Sequence, residues 1–130
     1  MTQETGSFYH RELKKIKSKY YRNQAQLDTV ISVRKYIGDH ADRNLDLQQL
    51  SALHFTSKFH LLRLFKRYYG QTPGQYLIEK RMEMARDLLK EGKSVTETCY
   101  ASGWESLSAF STAFRARMGE SPSAYQKKQF

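Results

Sequence analysis

Apolar side chains recur every three or four residues along most of this chain, which is the spacing of helices that bury one face. The first well-marked element covers residues 28–41, where Val30, Ile31 and Ile37 fall near helical spacing. Proline occurs only at positions 73 and 122, and the sequence has neither a strand-like alternation of useful length nor an Asn-Gly or Asp-Gly hairpin signal. The pattern therefore predicts an all-α fold.

Capping residues and glycines divide the remainder into six further helices, two of them short. Side chains that cap helix N-termini precede each apolar stretch, at Asp46, Ser57, Thr72, Ser94, Ser106 and Ser121. Three of them, followed by Gln49, Gln75 and Glu97, match the capping-box spacing. Glycines that commonly follow a helix stand at Gly70, Gly92 and Gly119. In the helix that starts after Ser57, the predicted inward face is Leu61, Leu64, Phe65 and Tyr68.

The two halves of the chain form an internal repeat at an offset of 49 residues. Each half has a short helix, a tight turn, a longer helix, a glycine and then Thr-Pro or Ser-Pro, which is a helix-turn-helix followed by the start of another helix. A long helix over residues 73–91 joins the two units. The matched pairs are Ala52–Ala101, Phe55–Trp104, Ser57–Ser106, Phe65–Phe114, Gly70–Gly119, Pro73–Pro122 and Tyr76–Tyr125.

The charge is strongly positive and unevenly placed. The 130 residues contain 22 Lys and Arg against 13 Asp and Glu, a net charge of +9. Residues 1–27 have net +4 and residues 28–70 net +3, whereas 71–93 and 94–130 have net +1 each. This length fits one domain, or two very small lobes that share a spine. The charge indicates a polyanionic partner, most often nucleic acid.

Several functional classes are excluded or disfavoured. The single cysteine, Cys99, rules out an intrachain disulfide framework and a Cys-based zinc site, and it is expected to be a small core residue. The four histidines lack metal-ligand spacing, and no nucleophile-elbow or phosphate-binding glycine motif is present, so we expect no enzyme, cofactor or metal. Neither a run of about 18 apolar residues nor a signal-peptide core occurs, so a cytoplasmic, nucleoid-associated protein is expected.

Residues 30–127 resemble the DNA-binding region of the AraC/XylS family of bacterial transcription regulators. The family's linker pattern falls on Tyr76, Leu77, Arg81, Ala85, Leu88 and Leu89, and residues 103–125 (GWESLSAFSTAFRARMGESPSAY) match its second signature. The resemblance implies seven helices, arranged as two helix-turn-helix lobes and a connecting helix. It also implies binding to double-stranded DNA, transcription activation and contact with RNA polymerase. The chain is similar to the free-standing MarA/SoxS type and equally to an isolated C-terminal domain.

This resemblance divides the chain into a basic N-terminal segment, residues 1–27, and a DNA-binding domain, residues 28–130. Within the domain, the first lobe is expected at about 28–72, the linker helix at about 73–91 and the second lobe at about 94–130. In the N-terminal segment, Ile16, Tyr20 and Gln24 are helically spaced. The segment is therefore either an extra helix or a mobile arm, and its simplest role is that of a solvated basic stretch with weak non-specific affinity for DNA.

The family motif also places the candidate site residues, on helices 57–69 and 106–118. Expected base contacts are Phe59, Leu62, Arg63, Ser108, Ser111 and Thr112. Expected backbone contacts are Ser57, Lys58, Lys66, Arg67, Ser106 and Arg115. Family members often have a basic or amide residue where Ser108 and Thr112 stand, so the first helix is expected to dominate specificity. One monomer would then read two successive major grooves, about 34 Å apart, within a non-palindromic site.

A second functional class is a basic helical module that binds RNA or an anionic membrane surface. The repeat argues against it, because two helix-turn-helix units at a fixed offset serve no purpose on a lipid surface. A chiefly protein-binding domain, for instance one that recruits RNA polymerase, is a third possibility. In the AraC/XylS family that role accompanies DNA binding.

Overall fold

A computed structural model describes residues 2–130, with side chains from Ser7 onward. Within that range it shows seven helices and no strand, which confirms the predicted all-α tandem arrangement. The helices are α1 (Thr2–His40), α2 (Leu47–Leu53), α3 (Lys58–Tyr69), α4 (Pro73–Lys90), α5 (Val95–Ala101), α6 (Leu107–Met118) and α7 (Pro122–Gln129). None of the described helices is both long enough and apolar enough to cross a membrane.

Helix α1 is much longer than the predicted element at 28–41. It runs unbroken from Thr2 to His40, so the expected boundary between residues 27 and 28 lies inside a continuous helix. Neither glycine nor proline interrupts residues 7–37, so nothing in that stretch stops the helix. Of the two structures left open for the N-terminal segment, the helix is the one observed. Met1 and the side chains of residues 2–6 lie outside the described part.

All six predicted N-cap side chains accept a backbone N–H, and two of the three predicted capping boxes are complete. The Asp46 carboxylate accepts the Gln49 N–H at 2.7 Å, while the Gln49 side chain accepts the Asp46 N–H at 3.2 Å. Thr72 and Gln75 make the same reciprocal pair at the start of α4. The third predicted capping box is only half formed. The Ser94 hydroxyl accepts the Glu97 N–H at 3.1 Å, whereas the Glu97 carboxylate stays on the exposed face.

The lobes have separate cores that share α4. The first core contains Val33, Ile37, Ala41, Leu50, Leu61, Phe65, Tyr76 and Leu77. The second contains Met82, Ala85, Leu89, Cys99, Phe110 and Phe114. Helix α4 thus supplies its N-terminal half to one core and its C-terminal half to the other. The predicted core position of Cys99 is confirmed, and its burial raises the pKa of the thiol.

The predicted inward position of Tyr68 is wrong. Tyr68 is exposed, and Tyr69 packs against the first core instead, with its ring centroid 4.8 Å from that of Phe65. The cause is the approach of α1 to the end of α3. The Arg34 guanidinium of α1 lies 4.7 Å from the Tyr69 ring centroid, so the neighbouring helix covers Tyr69 and leaves Tyr68 in solvent.

The repeat has two registers rather than one. Around the first helix of each lobe the equivalent hydrogen bonds are Thr56 N–H to Ser51 O and Trp104 N–H to Cys99 O, at 3.0 and 3.1 Å, which is an offset of 48. From the second helix onward the offset is 49, because the turn of the second lobe, residues 102–106, is one residue longer than residues 54–57. The predicted matches of Ala52 with Ala101 and of Phe55 with Trp104 are therefore wrong.

In the corrected register Phe55 corresponds to Gly103. Both have positive φ, 53° and 91° respectively, because both turns need a left-handed residue at that point. Phe55 is 97% exposed, whereas Trp104 packs against the second core. The first turn thus accommodates a strained aromatic residue at its surface, while the second turn requires glycine.

Arg81 of α4 connects the two lobes. Its Nε donates to the carbonyl oxygen of Ala41 at 2.8 Å, and its Nη2 donates to that of Arg43 at 2.8 Å. The guanidinium also lies 6.0 Å from the Trp104 ring centroid in the second lobe. Burial lowers the pKa of Arg81. The end of α1 and the turn of the second lobe therefore meet beside this side chain.

Candidate nucleic-acid interface

The outer face of α3 brings the three predicted base readers of the first lobe together. Phe59 is 68% exposed, Arg63 is exposed and Leu62 is half-buried. Residues three and four apart are neighbours on a helix surface, so these side chains share one patch. The Ser57 hydroxyl accepts the His60 N–H at 3.1 Å and so fixes where the helix begins. A large exposed aromatic residue beside an arginine suits a partner with both apolar and polar edges.

The same helix is strongly cationic. Lys58, Arg63, Lys66 and Arg67 are all exposed, and α3 contains no acidic residue. Among the described residues no salt bridge involves any of these four cations. The ammonium of Lys58 lies 5.8 Å from the Phe59 ring centroid. This face therefore offers four unneutralised positive charges to an anion.

The corresponding face of α6 is smaller and less charged. Ser108 and Thr112 are exposed and Ser111 is half-buried. Ser111 and Thr112 line a shallow depression with Arg115, Ala116 and Ser121. The cations of α6 are Arg115 and Arg117, half as many as on α3. The Ser106 hydroxyl accepts the Ala109 N–H at 3.1 Å, as Ser57 does in the first lobe.

The exposed turn at Phe55, which joins α2 to α3, was not predicted from the sequence. No motif marks this residue, and its match with Trp104 gave no sign that it is exposed. A second open groove lies between α1, α3 and α4. It is lined in part by Arg34, Tyr69, Tyr76 and Lys80. There Lys80 pairs with Glu83 at 3.1 Å, so part of its charge is neutralised internally.

Comparison with known proteins identifies the family. The profile of a protein family described as "Helix-turn-helix domain" matches residues 50–128. The probable transcriptional regulator LumQ of Photobacterium leiognathi is 34% identical over 98 residues, which are 75% of this chain and 40% of LumQ. The chain belongs to the AraC-type helix-turn-helix family. Members of this family are DNA-binding transcription regulators and do not form a class of enzymes.

Two further relatives of this AraC-type chain extend the comparison. The XylDLEGF operon transcriptional activator of Pseudomonas putida is 30% identical over 95 residues, 70% of this chain and 30% of that protein. The DNA-binding domain of AdpA, solved in complex with a target DNA, superposes with a TM-score of 0.73 at 30% identity. That superposition covers 76% of this chain and 90% of the AdpA domain. The chain spans less than half the length of both curated relatives.

Proposed function

We propose that this chain binds a specific double-stranded DNA site with α3 and α6 in two successive major grooves. The proposal rests on the observation that the two helices begin and end in the same way. Each begins at a serine cap and ends at a left-handed glycine, Gly70 or Gly119, before a buried proline. The exposed faces of α3 and α6 nevertheless differ in their side chains and charge. The structural likeness to a domain that was solved with its target DNA supports the same partner.

The first lobe supplies the specific contacts in this proposal. Arg63 donates two parallel hydrogen bonds to O6 and N7 of guanine, and Phe59 packs against a thymine methyl group. Leu62 adds apolar contact through its exposed half. The flanking cations Lys58, Lys66 and Arg67 bind phosphates, which position the helix without reading sequence. The cap hydroxyl of Ser57 still has its O–H free to donate to a phosphate.

The second lobe contributes weaker specificity. Ser108, Ser111 and Thr112 present hydroxyls, which can hydrogen-bond to several bases and therefore discriminate poorly. Arg115 and the Ser106 hydroxyl bind phosphates, so much of this lobe's contribution comes from DNA shape and position. One chain holds both helices, so one chain suffices to occupy one site with two unlike boxes.

Selection of bound duplexes from a random pool, with the full chain at a fixed salt concentration, tests the two-groove arrangement. We expect two unlike boxes with centres about 10 base pairs apart, because successive major grooves on one DNA face recur at that spacing. Insertion of about 5 base pairs between the boxes turns one box to the opposite face. That insertion should reduce affinity to the level of the first box alone. A single box, or equal recovery of all sequences, would contradict the proposal.

We further propose that the bound chain activates transcription by recruiting RNA polymerase. The name of the Pseudomonas putida relative, a transcriptional activator, supports the activation but does not concern the polymerase. Transcription in vitro from a promoter that carries the selected site should rise severalfold when the chain is added. The same promoter with a scrambled site is the control. A fall in transcript from the promoter with the intact site would show a repressor instead.

A further inference from the structure

The N-terminal half of α1 has no packing partner in the described part of the chain. From Ser7 to Ala25 every side chain is exposed except Glu12, which is half-buried. A helix in water gains most of its stability from packing an amphipathic face, and an unsupported one is marginal even when its residues favour helix. Six large apolar side chains in this stretch are each more than half exposed, and four of them lie on one side of the helix, namely Tyr9, Leu13, Ile16 and Tyr20.

These four side chains form one stripe at heptad spacing. The steps of four, three and four residues are those of alternating d and a positions in a coiled coil, and Asn23 and half-buried Leu27 continue the series. The same series continues through Val30, Ile37 and Ala41, which are buried. The stripe is therefore the N-terminal continuation of the side of α1 that packs on the first core, and it is uncovered between Tyr9 and Tyr20.

The charges beside the stripe fit a second copy of the same helix in parallel orientation. In a parallel pair, each g position faces the e position five residues later in the other helix. Glu12 at g would then face Lys17 of the second copy, and symmetry makes this ion pair twice. Lys19 at the next g position would face uncharged Gln24, so no like charges meet there.

The remaining cations of the segment fall on its outer positions. Arg11, Lys14, Lys15 and Arg22 occupy b, c and f positions, which point away from a partner helix. In the single chain Glu12 pairs with Lys15 at 3.6 Å, and the side chain of Lys15 is largely in solvent while that of Glu12 is about half exposed. Exposed ion pairs of this kind contribute little to stability. Glu12 can therefore exchange Lys15 for Lys17 of a second copy at little cost in free energy.

We propose that two copies of this chain pair through residues 9–27 of α1 as a parallel coiled coil, with one DNA-binding body on each. Asn23 at a d position would face its counterpart, and we expect this polar pair to favour the in-register arrangement, as an asparagine at an a position does in parallel dimers. The pairing goes beyond the expectation that the chain binds DNA as a monomer. It does not depend on the proposed DNA contacts, since each body keeps both of its recognition helices.

Sedimentation equilibrium of the full chain without DNA, over about 1–100 μM, tests the pairing. We expect twice the chain mass of 15.3 kDa. The double variant Leu13→Ser/Ile16→Ser should weaken the dimer by about 100-fold or more, because four apolar side chains leave the interface. Far-UV circular dichroism and the fluorescence of Trp104 report that the body stays folded. A chain that sediments at the single-chain mass throughout would overturn the proposal.

The matched control is Phe8→Ser/Tyr21→Ser. It removes two side chains that are also more than half exposed but occupy c and b positions, off the stripe. This variant should change the dimer dissociation constant by less than about threefold. Equal weakening by both double variants would overturn the proposal. The proposal would also be overturned if Leu13→Ser/Ile16→Ser kept the dimer mass. The same holds if that variant lost only its affinity for DNA or for anionic vesicles.

Oxidative cross-linking tests the parallel orientation. Ile16→Cys places a thiol at a d position beside its counterpart, whereas Ser18→Cys places one at the outward f position. The natural Cys99 is buried and should not interfere. We expect covalent dimers from Ile16→Cys and none from Ser18→Cys. Equal cross-linking of the two variants, or none from Ile16→Cys while the dimer persists, would refute the parallel in-register pair.

Discussion

Replacing Gly103 with alanine is expected to lower the free energy of unfolding by about 2–5 kcal/mol, from a left-handed backbone cost and a steric clash together. Gly103 has φ +91°, and an added Cβ would lie 2.5 Å from the carbonyl oxygen of Ala41 and 2.9 Å from Nε of Arg81. Neither neighbour can move freely, because Arg81 donates its hydrogen bond to that same carbonyl. The substitution therefore strains the contact that joins the two lobes.

Gly119→Ala is the matched control for this prediction. Gly119 also has positive φ, +80°, but an added Cβ there meets no atom within 4 Å. Gly119→Ala should lower the free energy of unfolding only by the cost of the left-handed backbone, about 1–2 kcal/mol. Urea unfolding followed by circular dichroism and by the fluorescence of Trp104, the residue next to Gly103, measures both changes. If the two substitutions cost the same, the junction at Arg81 does not constrain the turn.

Arg63→Ala is expected to reduce discrimination between the selected DNA site and a scrambled site by about 5- to 150-fold, the equivalent of about 1–3 kcal/mol. The reason is the loss of a bidentate contact that only guanine accepts from this side chain. Thr112→Ala should reduce discrimination less than about threefold, because a single hydroxyl reads bases poorly. Binding of both variants to matched and scrambled duplexes at one salt concentration compares the lobes.

Arg67→Ala is the control for charge. It removes a cation from the same helix, but from a position expected to bind phosphate, so affinity should fall about equally for all sequences. The slope of log affinity against log salt should then decrease in magnitude by about 0.9. A larger loss of discrimination from Thr112→Ala than from Arg63→Ala would reverse the proposed ranking of the lobes.

Local chemistry predicted most element boundaries correctly. Serine and threonine caps, prolines in the first turn and glycines after the last turn act within a few residues, so the starts of α3, α4, α6 and α7 follow from the chain alone. The family resemblance in turn placed the candidate readers on α3 and α6. The structure shows Arg63 and Phe59 on one exposed face, as a helical spacing requires.

The errors arose where the outcome depends on a distant part of the chain. Periodicity allowed either Tyr68 or Tyr69 to face inward, and the position of Arg34 on α1 decided for Tyr69. A constant offset of 49 hid the extra residue in the turn of the second lobe, and with it the correspondence between Phe55 and Gly103. A repeat compared letter by letter cannot show such a shift, because the hydrogen bonds that define the register are not visible in the letters.

By itself, the sequence determined an all-α repeat, its caps, the excess of positive charge in the first half and the family of transcription regulators. These depend on side-chain type and short spacing. Only the tertiary structure showed that α4 divides its length between two cores, that Arg81 ties the lobes at Gly103, and that α1 extends as an exposed helix whose apolar stripe is uncovered. Those features depend on which surfaces meet after folding, and apolar spacing along a chain does not specify what will cover each face.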